Sequence, residues 1–295
     1  MKPNPFWKKV YLVHCRVIKL ILFILLSITA GLLAGPQQSD HVKAQLISEV
    51  QSVQPGQTFC VALRLQMDEH WHTYWKNPGD SGLPTKIDWN LPDGFIAHEI
   101  QWPYPQKFEE NSLVSFGYEG DVLLITEIKA PETIKPGSKV EIEASVDWLV
   151  CKESCISGHA DLMIDLPVKE EVPKINARLA DHFLKTRMRL PKEFSDWKIN
   201  ASINKDKILI QITPPLWLKN DITNITFFPE QGGIINYSGV QNLKKSKDEY
   251  IIEIQRSLLL KKLPAQLKGV LFSQKGWSNS RQERALRIDV LLHQY

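Results

Sequence analysis

From residue 45 onward the chain alternates apolar and polar positions with a period of two. In "QTFCVALRLQM" (57–67), Phe59, Val61, Leu63, Leu65 and Met67 face one way, and Cys60, Ala62, Arg64 and Gln66 the other. This is the pattern of a half-buried strand. Ile142, Ala144, Val146, Trp148 and Val150 repeat it, and after a short break Ala160, Leu162, Ile164 and Leu166 resume it. The same reading predicts strands at 97–102 and 122–128, as well as 140–150 and 160–168. Residues 102–120, which carry Phe108, Phe116 and Tyr118, read as a long loop or irregular strand. Turn dipeptides such as Pro78-Gly79 and Asp93-Gly94 punctuate the strands, and no helical period intervenes. Short strands between Gly/Pro turns predict an antiparallel β-sandwich over 45–168.

Residues 169–190 break that texture. Ile175, Leu179, Phe183 and Met188 are spaced roughly as one face of a helix, which predicts a linker carrying a short helix. The β pattern returns in "KILIQITPP", "ITFFPE", "EYIIEIQRS" and "ALRIDVLL", predicting a second β-sandwich domain over 191–295. Two domains of this size are each long enough to bury a core.

The first 34 residues are different again. Lys2, Lys8, Lys9, Arg16 and Lys19 precede an uncharged run from Leu20 to Ala34, with no acid before Asp40. That is the layout of an export signal. The run is shorter than the roughly 20 apolar residues that span a bilayer as a helix, which favours cleavage over an N-terminal membrane anchor. The cut falls after residue 34, or as late as residue 44, where Val42 and Ala44 supply the small side chains. Removing residues 1–34 takes five basic and no acidic residues, leaving 31 Lys+Arg against 33 Asp+Glu, a formal charge of −2 in place of +3. A near-neutral mature surface argues against nucleic acid as a partner and leaves proteins.

An exported chain meets an oxidising compartment, where disulfides persist. Cys15 lies inside the signal, which leaves Cys60, Cys151 and Cys155. Cys60 reads as a small filler beside Ala62. Cys151 and Cys155 form a CxxxC at the tip of the predicted 140–168 hairpin, and one tight turn brings them within bridging distance. A bridge closing five residues removes little unfolded-state entropy, about 2 kcal/mol, so a structural staple gains little. A strained small ring is easily reduced, which suits thiol-disulfide exchange. Lys152 favours a thiolate, Glu153 opposes it, and His159 helps if it folds back. A third reading is a metal site: Cys151, Cys155 and His159 are spaced four apart, and His70 and His72 would share a strand face, a donor set suited to copper(I) or zinc. Exchange, staple and metal binding all remain open on residue pattern alone.

"HTYWKNPGDSGLP", "WPYPQKFEE", "FGYEGDVLL" and "DWLVCKESCISG" together resemble the periplasmic N-terminal domain of the DsbD and ScsB group of thiol:disulfide interchange proteins. The resemblance is strongest over 45–168. It implies an all-β fold: an immunoglobulin-like β-sandwich carrying the cysteine pair, in the periplasm, with no cofactor and no bound metal. It also implies Cys155 as the exchange sulfur and Cys151 as its resolving mate. A shielding cap falls on Phe108, Phe116 and Tyr118, with Phe108 as the lid. The implied partners are a membrane thiol reductant of the DsbD/CcdA type, a thioredoxin-like carrier and oxidised periplasmic proteins. Full-length members continue into a membrane domain and a thioredoxin domain. Here no later apolar run is long enough to span a membrane, so electrons are expected from separate proteins. The alternative is a non-catalytic periplasmic binding module, with copper or a protein as ligand and a structural disulfide.

Overall fold

The computed structural model describes residues 35–219, 221–246 and 249–294. The expected export signal over 1–34, with Cys15 in it, lies outside the described residues. In chain order the first strands are β1 (Gln37–Ser39), β2 (Val42–Ser48), β3 (Thr58–Met67), β4 (His72–Gly79), β5 (Lys86–Asn90) and β6 (Ile96–Ala97). Next come β7 (Gln106–Glu110), β8 (Leu113–Glu119), β9 (Asp121–Lys129), β10 (Lys139–Cys151) and β11 (Cys155–Pro167). A helix, α1 (Ala180–Met188), precedes β12 (Lys198–Asn204), β13 (Lys207–Thr213), β14 (Ile225–Pro229), β15 (Asn242–Lys245), β16 (Tyr250–Gln255), β17 (Gln266–Ser273) and β18 (Ala285–Gln294). Among the described residues no helix is long and apolar enough to cross a membrane.

The first eleven strands form two sheets, β1-β2-β3-β9-β6 and β11-β10-β4-β8-β7. β10 pairs with β11 along one edge, while β5 and the start of β4 share its other edge. The odd-numbered apolar positions of β3 and the even-numbered ones of β10 are buried, as their alternation predicts. The predicted strand over 97–102 shrinks to β6, beyond which only the His98 and Gln101 backbone N–H groups still donate to β9, at the Glu127 and Ile125 carbonyls. The segment 102–120, expected as a long loop or irregular strand, carries the β7–β8 hairpin.

The linker helix is shorter than its apolar spacing. Only Phe183 of the four predicted face residues is fully buried, packed on Ile47, Ala62, Leu123 and Ile125 of the outer sheet face. Ile175 and Met188 are exposed, and Ile175 forms a bridge with Val50 ahead of the helix. Arg187 clamps α1 to the sheet by donating through both terminal nitrogens to Glu49.

The second β unit is one seven-stranded path, β14-β17-β18-β12-β13-β16-β15, with β12 and β18 parallel, curving nearly into a barrel. Its core does not stand apart from the first: buried side chains of both units form one continuous cluster. The joint is built on β4 and β8. Trp75 meets Phe228 edge-on, and Phe116 does the same with Phe228 and Tyr237. Asn77 donates to the Pro229 carbonyl at 2.7 Å, and Lys76 pairs with Glu230 at 2.9 Å.

β4 and β8 approach each other closely at Gly117, where a Cβ would stand 1.9 Å from the Thr73 carbonyl oxygen. No side-chain rotation relieves a backbone contact. Gly117→Ala should therefore lower stability by about 1–3 kcal/mol, the cost of overpacking. Chemical denaturation measures this, and an unchanged midpoint would show that the strand spacing is not fixed there.

Candidate functional site

β10 and β11 pair over thirteen residues and end with Cys151 opposite Cys155, joined by the three-residue loop Lys152–Ser154. The two Cα atoms are 4.1 Å apart and the sulfurs are bonded. The partners are unequal. Cys151 is 2% exposed, whereas Cys155 lies at the surface.

β4 supplies the wall behind the buried sulfur. His72 is the register partner of Cys151, and strand alternation puts Tyr74 on the same face as His72. The Tyr74 hydroxyl donates to Cys151 Sγ at 2.8 Å and lies 3.6 Å from Cys155 Sγ. Burial pushes the Tyr74 phenol up, opposed by hydrogen bonds to Ser115 and Ser81, whose own hydroxyls are 3.2 Å apart. The phenol is thus a protonated donor, with the two serine hydroxyls near it. The 79–82 turn rests directly on its ring. At Gly82, φ is +96° and a Cβ would stand 2.2 Å from a ring carbon, so only glycine fits.

His72 stacks face-to-face with Phe108 at 4.4 Å and 12°, and meets Tyr74 edge-on at 5.3 Å. Burial lowers the His72 pKa, against the pull of Glu119, so the ring is neutral at pH 7. Its Nε2 is buried and has no hydrogen-bond partner. Phe108 arrives on the β7–β8 hairpin, whose two turn residues, Asn111 and Ser112, have φ of 47° and 74°. Two successive positive φ values make the tight turn that matches strand twist. A pocket of about 310 Å³ separates this turn from the disulfide, lined by His72, Tyr74, Phe108, Glu110, Leu113, Ser115 and the 151–155 loop.

Of the three expected cap residues, only Phe108 lines the pocket beside the disulfide. Phe116 and Tyr118 require correction: they are 2% and 1% exposed, and neither lines the pocket. Register explains why. Phe108 pairs with Ser115 and shares its face, so Phe116 and Tyr118, one and three residues further along β8, point away. Phe116 packs on the second unit, and Tyr118 donates to the Pro103 carbonyl at 2.7 Å.

Of the donors in the metal reading, only His72 lines the pocket with the two cysteines, which are bonded to each other. His159 turns to Asp147 at 2.8 Å rather than folding back on the cysteines, and that carboxylate raises its pKa. His70 has φ of 69° ahead of β4, so strand alternation does not extend to it. Among the described residues no three His, Cys, Asp or Glu side chains meet as a metal cluster. Cys60, the free thiol among the described residues, sits in the other sheet, where Arg187 Nη2 donates to its sulfur at 3.4 Å. Burial, with Glu49 and Glu127 adding to it against Arg187, pushes that thiol up to about 11, so it stays neutral and unreactive at physiological pH. Sequence reading missed Tyr74, Ser81 and Ser115. The alternation in "HTYW" sets Tyr74 beside His72, but nothing along the chain registers β4 against β10.

Comparison with known proteins adds three findings. Residues 40–167 match the family model described as thiol:disulfide interchange protein DsbD, N-terminal. No curated protein matches the chain at a significant level. Among solved structures, the N-terminal periplasmic domain of ScsB from Proteus mirabilis aligns with a TM-score of 0.61 at 17% identity, covering 87% of this chain and 97% of that one. Such coverage cannot fit within 40–167, so the likeness of fold runs on into the second β unit. A protein of unknown function from Porphyromonas gingivalis W83 aligns at a TM-score of only 0.24 and 10% identity over 85% and 99% of the two chains, too low to carry an argument. Residues 40–167, with the bonded Cys151–Cys155 pair inside them, therefore belong to the DsbD N-terminal domain family.

Proposed function

We propose that this chain is an exported thiol-disulfide interchange protein that carries electrons through Cys151 and Cys155 to oxidised periplasmic proteins. The observation that carries this reading is the inequality of the two sulfurs: one at the surface, the other buried on a hydrogen-bond donor. A thiolate attacks where it has access, and the sulfur it displaces leaves best where its negative charge is stabilised.

The steps follow from that asymmetry. A thiolate of a dithiol reductant, of the membrane DsbD/CcdA or thioredoxin-like kind, attacks Cys155 Sγ. The Cys151–Cys155 bond breaks, and Cys151 leaves as a thiolate accepting the Tyr74 hydroxyl proton in a hydrogen bond. The reductant's second thiolate then attacks its own bonded sulfur, freeing Cys155 and closing the reductant's disulfide. In delivery, the Cys155 thiolate attacks a target disulfide and expels one target thiolate. Cys151 then attacks Cys155 Sγ, releases the second target thiolate and restores the bond. Two electrons pass in each half. The stacked Phe108 and His72 limit access to the pair until a partner displaces the β7–β8 turn.

Three measurements test this reading. Equilibration of the purified chain against a thiol–disulfide buffer should give a reduction potential above about −300 mV; a lower value indicates a structural bond and defeats the proposal. Phe108→Ala should speed reduction by dithiothreitol several-fold with the potential unmoved, and an unchanged rate would remove the lid. Tyr74→Phe deletes the donor to the Cys151 thiolate and so destabilises the reduced form. A hydrogen bond to a charged group is worth about 1.5–3 kcal/mol. The potential should therefore fall by about 30–60 mV, and exchange should slow at least tenfold. A purely structural tyrosine would leave the potential where it was.

A further inference from the structure

One groove of the molecule lies away from the cysteine pair, where α1, β9 and the segment before β18 come together. It has a volume of about 650 Å³. Its charge is one-sided. Lys185 and Arg189 stand on the helix side, Arg281 and Arg284 on the side of the second β unit, with His182 between them and Asp121 as the one acid of the lining. Asp121 is already engaged: Arg64 donates to both of its oxygens, at 2.6–3.1 Å. On a mature chain of near-neutral balance, this concentration of cations is local and not a general basicity.

The cations are also held in place. The Arg189 guanidinium lies over the Tyr104 and Tyr118 rings at 5.3 and 5.9 Å and donates to the Tyr104 carbonyl at 3.3 Å. Stacking of this kind leaves the outer guanidinium edge available for a carboxylate. Arg284 pairs with no acid among the described residues, and Lys185 meets only the exposed Asp181 of its own helix. The floor is apolar, with Tyr104, Leu123 and Met188.

We propose that this groove binds an acidic, extended peptide segment of a partner protein. The cations stand on both walls and do not converge on one buried point, as recognition of a single compact anion would require. An extended peptide sends successive side chains to opposite sides. Its carboxylates then reach both walls while its backbone and apolar side chains cover the floor. The site would hold a partner against the rigid face of the molecule, independently of the sulfur chemistry.

The test is titration of a fluorescein-labelled acidic peptide, Glu-Leu-Glu-Glu-Leu-Glu-Glu, with the mature chain, read by fluorescence anisotropy. Binding should weaken as salt rises. The double reversal Lys185→Glu with Arg284→Glu should cost at least tenfold in affinity. Lys169→Glu with Lys174→Glu, an equally exposed pair elsewhere, should cost less than twofold. Both variants alter solvated side chains, and matching far-UV circular dichroism checks their folds. Equal losses in the two variants, or no loss in the first, would overturn the proposal. Displacement of the peptide by inorganic phosphate, beyond the effect of sodium chloride at the same ionic strength, would also overturn it by assigning the groove to small anions.

Discussion

A disulfide across a three-residue turn exists here because two thirteen-residue strands hold one register. Every pair from Lys139 with Pro167 to Cys151 with Cys155 lies in step. A slip of one residue would turn one sulfur to the opposite face, since the side-chain period of a strand is two. That register is enforced from the core. Ile142, Val146, Trp148, Val150, Leu162 and Leu166 are all buried, and a shift would bring their polar neighbours inward. The apolar pattern that makes the sandwich is thus also what aligns the sulfurs.

β4 connects this alignment to the rest of the molecule. Its alternation sends His72 and Tyr74 to the sulfurs while Trp75 and Asn77 anchor in the second β unit, through Phe228 and the Pro229 carbonyl. One strand therefore sets both the donor behind Cys151 and the joint between the units. This gives the second unit a physical role even at a distance from the chemistry: it fixes the strand from which the sulfur environment is built. The continuity of the buried cluster across the joint fits that role.

Much of this was legible along the chain. Alternation gave the strands of the hairpin, and spacing put the cysteines at its tip. Phe108 was singled out through the family resemblance alone, and the apolar spacing over 169–190 placed a helix but only one of its buried contacts, Phe183. What failed did so for non-local reasons. Assigning Phe116 and Tyr118 to the cap ignored the pairing of Phe108 with Ser115, and pairing partners are not written in either strand. Tyr74 escaped notice because its partner is 77 residues away, across an edge shared by β4 and β5. The strand predicted over 97–102 keeps only isolated bonds to β9 after Ala97, a loss of pairing that alternation along one segment does not record. His159 was free to be drawn either way until the structure set Asp147 opposite it.

The site is also arranged so that opening the bond changes little else. Closing a five-residue ring is worth about 2 kcal/mol of unfolded-state entropy. A single buried side chain such as Trp148 or Ile142 contributes about as much through removal of apolar surface from water. The hairpin buries at least six of comparable size, so its ladder and packing persist when the sulfurs part. His72, Tyr74 and Phe108 are positioned by their own strands and not by the bond. In the exchange we propose, reduction would leave the Cys155 and Cys151 sulfurs on that frame of strands, with Tyr74 beside the Cys151 thiolate. The one interaction that then strengthens is the Tyr74 hydrogen bond to the Cys151 thiolate, which would confine the cost and the gain of that exchange to the tip.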